Sequence, residues 1–191
     1  MEKDDYDSDK DLEKINKDLK KFKTGIGLAL IEHGCVISLT ILLFIAFSPY
    51  GLLLGVVLII FRIGEGLIQY YNEPFYWKLI NIAKKYSAAG DAEKKSLSDL
   101  ASSIFKGKDT RFKYAMICWS IGTLAFSIVL VNSGFVPIFI GVIGIIASIL
   151  VGIGTAIKLV KPKIKLALVG ALFAILFEII IGGWLIYYLI I

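Results

Sequence analysis

The sequence predicts an all-α integral membrane protein, a helical bundle of five transmembrane helices, and three observations carry that prediction. Apolar residues make up 57% of the 191 positions, and the mean hydropathy is +0.77, above the roughly half-apolar composition of soluble domains. The charges are segregated: eight of the sixteen acidic and seven of the twenty-one basic residues lie in the first 23 positions. Most others fall between Glu73 and Lys113 or between Lys158 and Lys165. Between these islands run apolar stretches of about twenty residues or more, the length a helix needs to cross roughly 30 Å of hydrocarbon. One small soluble core could not enclose them.

Residues 1–24 form a charged N-terminal segment in which Leu12, Ile15, Leu19 and Phe22 recur at steps of three and four. That spacing puts them on one face of a short amphipathic helix, lying on the membrane surface or leading into the first span. No secretory signal is expected, because the segment is densely charged and no cleavage site follows a short apolar core. The membrane domain, 25–191, has spans at about 25–47, 52–71, 112–131, 138–160 and 166–188. Ser48-Pro49-Tyr50-Gly51 separates the first two, and Asn72-Glu73-Pro74 is expected to end the second. The loop 72–111 is expected to hold two short amphipathic helices divided near Gly90-Asp91, lined by Phe75, Leu79, Ile82 and Tyr86 and by Leu97, Leu100 and Ile104. Asn132 to Pro137 forms the next turn, and Lys161-Pro162-Lys163 the last break.

Lysine and arginine bias sets the expected orientation. The turns 48–51 and 132–137 carry no basic residue, while twenty of the twenty-one lie on the other side and Arg62 lies within a span. The N-terminus is therefore expected in the cytoplasm and the C-terminus outside. Trp184, Tyr187 and Tyr188 suit an outer aromatic belt, and Tyr70, Tyr71, Tyr76 and Trp77 an inner one. The basic residues flank spans rather than form one module, so nucleic acid is not an expected partner.

Five ionisable residues lie inside the spans: Glu32, His33, Arg62, Glu65 and Glu178. A charge at the centre of a bilayer costs at least roughly 2.5–3.5 kcal/mol, so such residues face the bundle interior and pair. Gly170, Ala174, Glu178 and Gly182 recur every fourth residue, and Gly51, Gly55, Arg62 and Gly66 share a face of the second span. Small residues mark close helix contacts, so Arg62 and Glu178 are expected to meet, with Arg62–Glu65 as an intrahelical pair. Three carboxylates against one arginine and one histidine leave an excess of two negative charges, which calls for a proton on a carboxylate or on His33. The five are a candidate buried polar network, either fixing helix register or serving a proton or cation path.

Other motifs point to little chemistry. Gly152-Ile153-Gly154 before Lys158 lies in an apolar helix with no preceding strand, so Gly144, Ser148 and Gly152 read as a packing seam rather than a phosphate loop. One histidine excludes a multi-histidine metal site, and Cys35 and Cys118 lie inside spans as small apolar residues. Serines in the spans, Ser38 and Ser148 among them, are not matched in the sequence by a convincing catalytic base, so a membrane hydrolase is not expected. No catalytic residue, cofactor or metal is expected. Lysines 78, 84, 85, 94, 95, 106 and 108 beside amphipathic helices make the cytoplasmic loop a candidate site for anionic lipid or a protein partner.

From about residue 51 onward, three landmarks stand in order: Phe61-Arg62 with Glu65, Ser133-Gly134-Phe135-Val136-Pro137, and Phe177-Glu178 followed by Gly183-Trp184-Leu185. In these the chain resembles a family of uncharacterised prokaryotic multi-pass membrane proteins defined as a domain of unknown function. Members of that family commonly carry an additional N-terminal span, where this chain has a charged segment. The resemblance implies a prokaryotic cell membrane and singles out Arg62 and Glu178, without implying an activity. The function expected is a non-enzymatic binding, scaffold or regulatory subunit. The alternative is a small-solute or proton-coupled transporter, a homo-oligomer because five short spans enclose little room.

Overall fold

The computed structural model describes residues 7–161 and 166–190, and its regular structure is helical. The helices are α1 (Ser8–Lys17), α2 (Leu19–Phe47), α3 (Leu52–Ala88), α4 (Asp91–Ser133), α5 (Ile138–Val160) and α6 (Leu166–Ile190). Among the described residues five helical stretches are long and apolar enough to cross a membrane: Leu19–Tyr50, Leu52–Ala88, Asp91–Ser133, Ile138–Val160 and Leu168–Tyr188.

Local chemistry sets the ends of α1. The Asp7 carboxylate accepts from the Lys10 backbone N–H at 3.3 Å, Asp9 and Asp11 occupy the first turn, and Lys14 and Lys17 the last. Acidic starts and basic ends both oppose the helix dipole favourably. At Asp18 the backbone leaves the helical region (φ −138°, ψ 68°), and its carboxylate then accepts from the Lys21 N–H at 2.9 Å, opening α2. Gly134 takes φ 67° after α4, a left-handed conformation that costs glycine nothing.

The structure departs from the expected loop. Asn72-Glu73-Pro74 does not end the second helix: Pro74 lies inside α3, which runs on to Ala88, and α4 enters its span without a break from Asp91. Proline removes one helical hydrogen bond, at a cost of about 3 kcal/mol. Buried Asn72 and Glu73 and the Tyr71–Phe75 ring contact (centroids 5.6 Å apart) hold the helix through it. The only interruption between Leu52 and Ser133 is at Ala89 and Gly90. The expected break at Pro162-Lys163 lies outside the described residues; α5 ends at Val160, where the Lys161 N–H reaches the Ile157 carbonyl at 2.7 Å.

The chain forms two compact units. One, polar, comprises the residues up to Gly34 and Ile68–Phe112. Its core is Leu12, Ile15, Leu79, Ile82, Ala83, Tyr86 and Ala101, with Leu19, Phe22, Tyr76, Leu97, Ile104 and Phe105 packed around it. The apolar face of α1 is thus covered by the polar ends of α3 and α4 and not by a membrane surface. Leu12 is completely enclosed, which contributes about 1.5–3 kcal/mol.

The other unit, apolar, comprises Cys35–Leu67 and the chain from Lys113 onward. Phe47, Leu58, Phe126, Leu130, Ile140 and Phe177 are central to its larger core, and Trp119, Ala147 and Val151 to a smaller one. The seam of Gly144, Ser148 and Gly152 is a close helix contact. A Cβ on Gly144 would run into the Ser127 hydroxyl and come within 2.6 Å of the Phe177 ring. The buried serines there are satisfied by carbonyls: Ser120 donates to Ser148, Ser127 to Thr123 and Ser148 to Gly144, each at 2.7 Å.

Candidate functional site

The five sequence-selected residues fall into two groups. Glu32 and His33 belong to the polar unit; Arg62, Glu65 and Glu178 belong to the apolar one.

In the polar unit His33 is buried between two carboxylates. Its Nδ1 lies 2.5 Å from Glu32 Oε2 and its Nε2 3.4 Å from Glu73 Oε1. Glu32 is exposed and Glu73 buried, so the imidazole bridges a solvent-side and an enclosed carboxylate. Only a ring with both nitrogens protonated can donate to both at once. The contact with Glu73 fixes the level of His33: it matches the polar end of the second apolar stretch, not mid-span. Beside Glu73, the Asn72 side-chain oxygen Oδ1 accepts from Arg111 Nε at 2.5 Å. Lys108 has its ammonium 4.5 Å from the centre of the Tyr76 ring. Burial lowers the Lys108 pKa below its ordinary value, against the raising effect of the Glu73 and Asp109 charges. Lys108 stands outside the apolar stretch of α4.

In the apolar unit Arg62 Nη1 donates to Glu65 Oε2 at 2.6 Å, one turn along α3, and both side chains are largely buried. The arginine stem needs Gly122 of α4, whose Cβ would come within 2.7 Å of Arg62 Cγ. The guanidinium then sits 6.0 Å from the Trp119 ring centre. Trp119 Nε1 donates to Glu178 Oε1 at 3.1 Å. The expected direct Arg62–Glu178 ion pair is therefore not among the contacts of the described residues; Trp119 touches both side chains. Glu178 stands at the midpoint of α6 and is otherwise exposed.

Sequence reasoning passed over Asn72, Glu73, Arg111 and Trp119. Asn72 and Glu73 precede a proline and read as a helix stop. Arg111 read as a topology charge and Trp119 as one more apolar residue. The usable signal was spacing: Asn72 and Tyr76, like Lys108 and Arg111, share a helix face. Among the described residues no group of three or more His, Cys, Asp and Glu could hold a metal ion.

Fold and sites together define an all-helical protein with five helices fit to cross a membrane and paired charges at two separate places. The chain belongs to the family described as Domain of unknown function (DUF4386), whose model matches residues 4–188. The match includes the charged N-terminal segment, where the resemblance noted above began only at about residue 51. No curated protein matches the chain, and no solved structure does.

Proposed function

We propose that the chain is a non-enzymatic multi-pass protein of a prokaryotic cell membrane, a binding, scaffold or regulatory subunit acting through its polar unit in the cytoplasm. The observation that carries this reading is the core of that unit. With Leu12, Leu79 and Ala101 fully enclosed, the charged part of the chain holds a defined helical surface and is not a solvated loop. The basic residues on that side and the uncharged turns at 48–51 and 132–137 support the orientation. Arg62 closed on Glu65 within one helix supports a structural role for that pair.

The test is site-specific photo-cross-linking in cells from the exposed positions Lys95 and Asp99. A discrete adduct that disappears with Leu12→Asp, which undocks α1, is the expected result. Adducts at neither position, or adducts indifferent to Leu12→Asp, would overturn the reading. One observation favours transport as a second reading: Glu178, at the midpoint of α6, is exposed with the Trp119 indole as its hydrogen-bond donor. Proton flux in proteoliposomes that is lost in Glu178→Gln would establish transport in place of the scaffold role.

A further inference from the structure

We propose that Arg111 and Lys78, both beside the Phe75 ring, form a binding site for the phosphate of an anionic phospholipid headgroup. The inference rests on reading the chain as membrane-spanning.

Tyr71, Phe75 and Lys78 follow one another at steps of four and three along α3, hence on one face. The Arg111 guanidinium lies 4.4 Å from the Phe75 ring centre and 6.0 Å from that of Tyr71; the Lys78 ammonium lies 5.2 Å from Phe75. Two cations thus converge on one ring, and among the described residues neither makes an ion pair with a carboxylate. An anion beside that ring would be attracted by both.

Arg111 is built to receive it. Its Nε is committed to the Asn72 side-chain oxygen Oδ1, and Asn72 is only 2% exposed. That bond fixes the plane of the guanidinium and leaves Nη1 and Nη2 for a ligand. Residue 107, one turn earlier on α4, is glycine, and a Cβ there would sit 3.2 Å from Nη1 and 3.4 Å from Nη2. A side chain at that position would crowd both donors. The Asn72 amide nitrogen, at the other end of the same side chain, is buried with no partner among the described residues. A planar pair of guanidinium N–H groups matches two phosphate oxygens, while the lysine adds a point charge.

The level selects the ligand. Phe75 and Arg111 stand where the apolar stretches of α3 and α4 meet their polar extensions, and Tyr70 and Tyr71 are exposed there. Tyrosines take that position at the headgroup level. A choline headgroup would present its own cation to Arg111 and Lys78; an anionic headgroup has no compensating cation, so it is preferred.

The full-length protein, purified in detergent, is titrated with phosphatidylglycerol or phosphatidylcholine and the retained lipid counted by native mass spectrometry. Phosphatidylglycerol should be retained in preference. Lys78→Gln should weaken retention by roughly fivefold, as expected for one lysine at an anionic surface. Gly107→Ala, which a helix accommodates readily, should weaken it without lowering the melting temperature. This variant and Lys78→Gln keep the test decisive if Arg111→Gln does not fold. Lys84→Gln, on another face of α3, should leave retention unchanged. Equal retention of the two lipids, or an equal loss in Lys84→Gln, would overturn the site in favour of diffuse attraction. Inorganic phosphate bound without lipid, with the same dependence on Lys78 and Gly107, would overturn the lipid as its ligand. Flotation of the protein with liposomes tests the membrane reading separately.

Discussion

Removing Arg62 should cost more than removing any other single side chain of the apolar unit's polar group, and the loss should be restored through Glu65. In Arg62→Leu the Glu65 carboxylate, with 9% of its side chain exposed, loses the guanidinium 2.6 Å away. Breaking one side of a buried pair costs about 3–5 kcal/mol, whereas replacing both members by apolar residues is often neutral. The loss of the Trp119 contact adds about 0.5–1 kcal/mol. The double variant Arg62→Leu/Glu65→Leu should therefore recover most of the loss, a coupling of about 3 kcal/mol. Arg62→Leu/Glu178→Leu joins residues that meet only through Trp119, and its coupling should stay below about 1 kcal/mol. Unfolding of the three single variants (Arg62→Leu, Glu65→Leu and Glu178→Leu), the two double variants and the parent in mixed micelles, followed by helical signal against denaturing detergent, gives both couplings. Recovery in the Glu178 double variant and none in the Glu65 one would refute the pairing and restore the direct Arg62–Glu178 contact.

Leu12→Ala should destabilise the polar unit by about 2–5 kcal/mol, since Leu12 is fully enclosed; amide exchange in α1 should accelerate, while Leu100→Ala, at a half-exposed position, changes it little. Gly144→Val should lower thermal stability sharply, because its side chain meets the Ser127 hydroxyl and the Phe177 ring, whereas Gly182→Ala, with open space around it, should be tolerated. Lys108 has a lowered pKa in the folded chain, so the unfolded chain binds more protons below 10.5 and stability rises with pH through that window. Lys108→Met should flatten that rise in melts recorded between pH 8 and 10.5; an unchanged slope would remove Lys108 as its source.

Hydropathy made the spans legible because crossing a bilayer imposes a length and a composition together. It could not show where the helices end. The apolar stretch of α3 stops near Tyr71 because side-chain composition changes there, yet its backbone hydrogen bonds continue through Pro74 to Ala88. The packed side chains of Asn72, Glu73 and Phe75 offset the proline's missing donor, and those partners come from α2 and α4, far along the chain. The amphipathic face of α1 was equally legible from Leu12 and Ile15, but periodicity alone does not distinguish a face covered by lipid from one covered by protein. Leu79, Ile82 and Ala101 decide between them.

The candidate site divides for a related reason. Counting positions from the expected start of the first span puts Glu32 and His33 inside it, but His33 contacts Glu73, at the polar end of the second stretch. A long helix can carry its first turns beyond the apolar layer, so depth counted along one helix is not depth shared with another. Regrouping also reduces the apparent excess of two negative charges to the one on Glu178, since Glu32 belongs to the polar unit. Arg62 neutralises Glu65 within one turn, and Glu178 stands on the Trp119 indole. Glu32 and Glu73 flank His33 in a unit that also supplies Lys108, on which the Glu73 charge acts, and Arg111. Substitutions at Glu32 or His33 should disturb the polar unit's stability, read as faster amide exchange there, since His33 is buried between the Glu32 and Glu73 carboxylates.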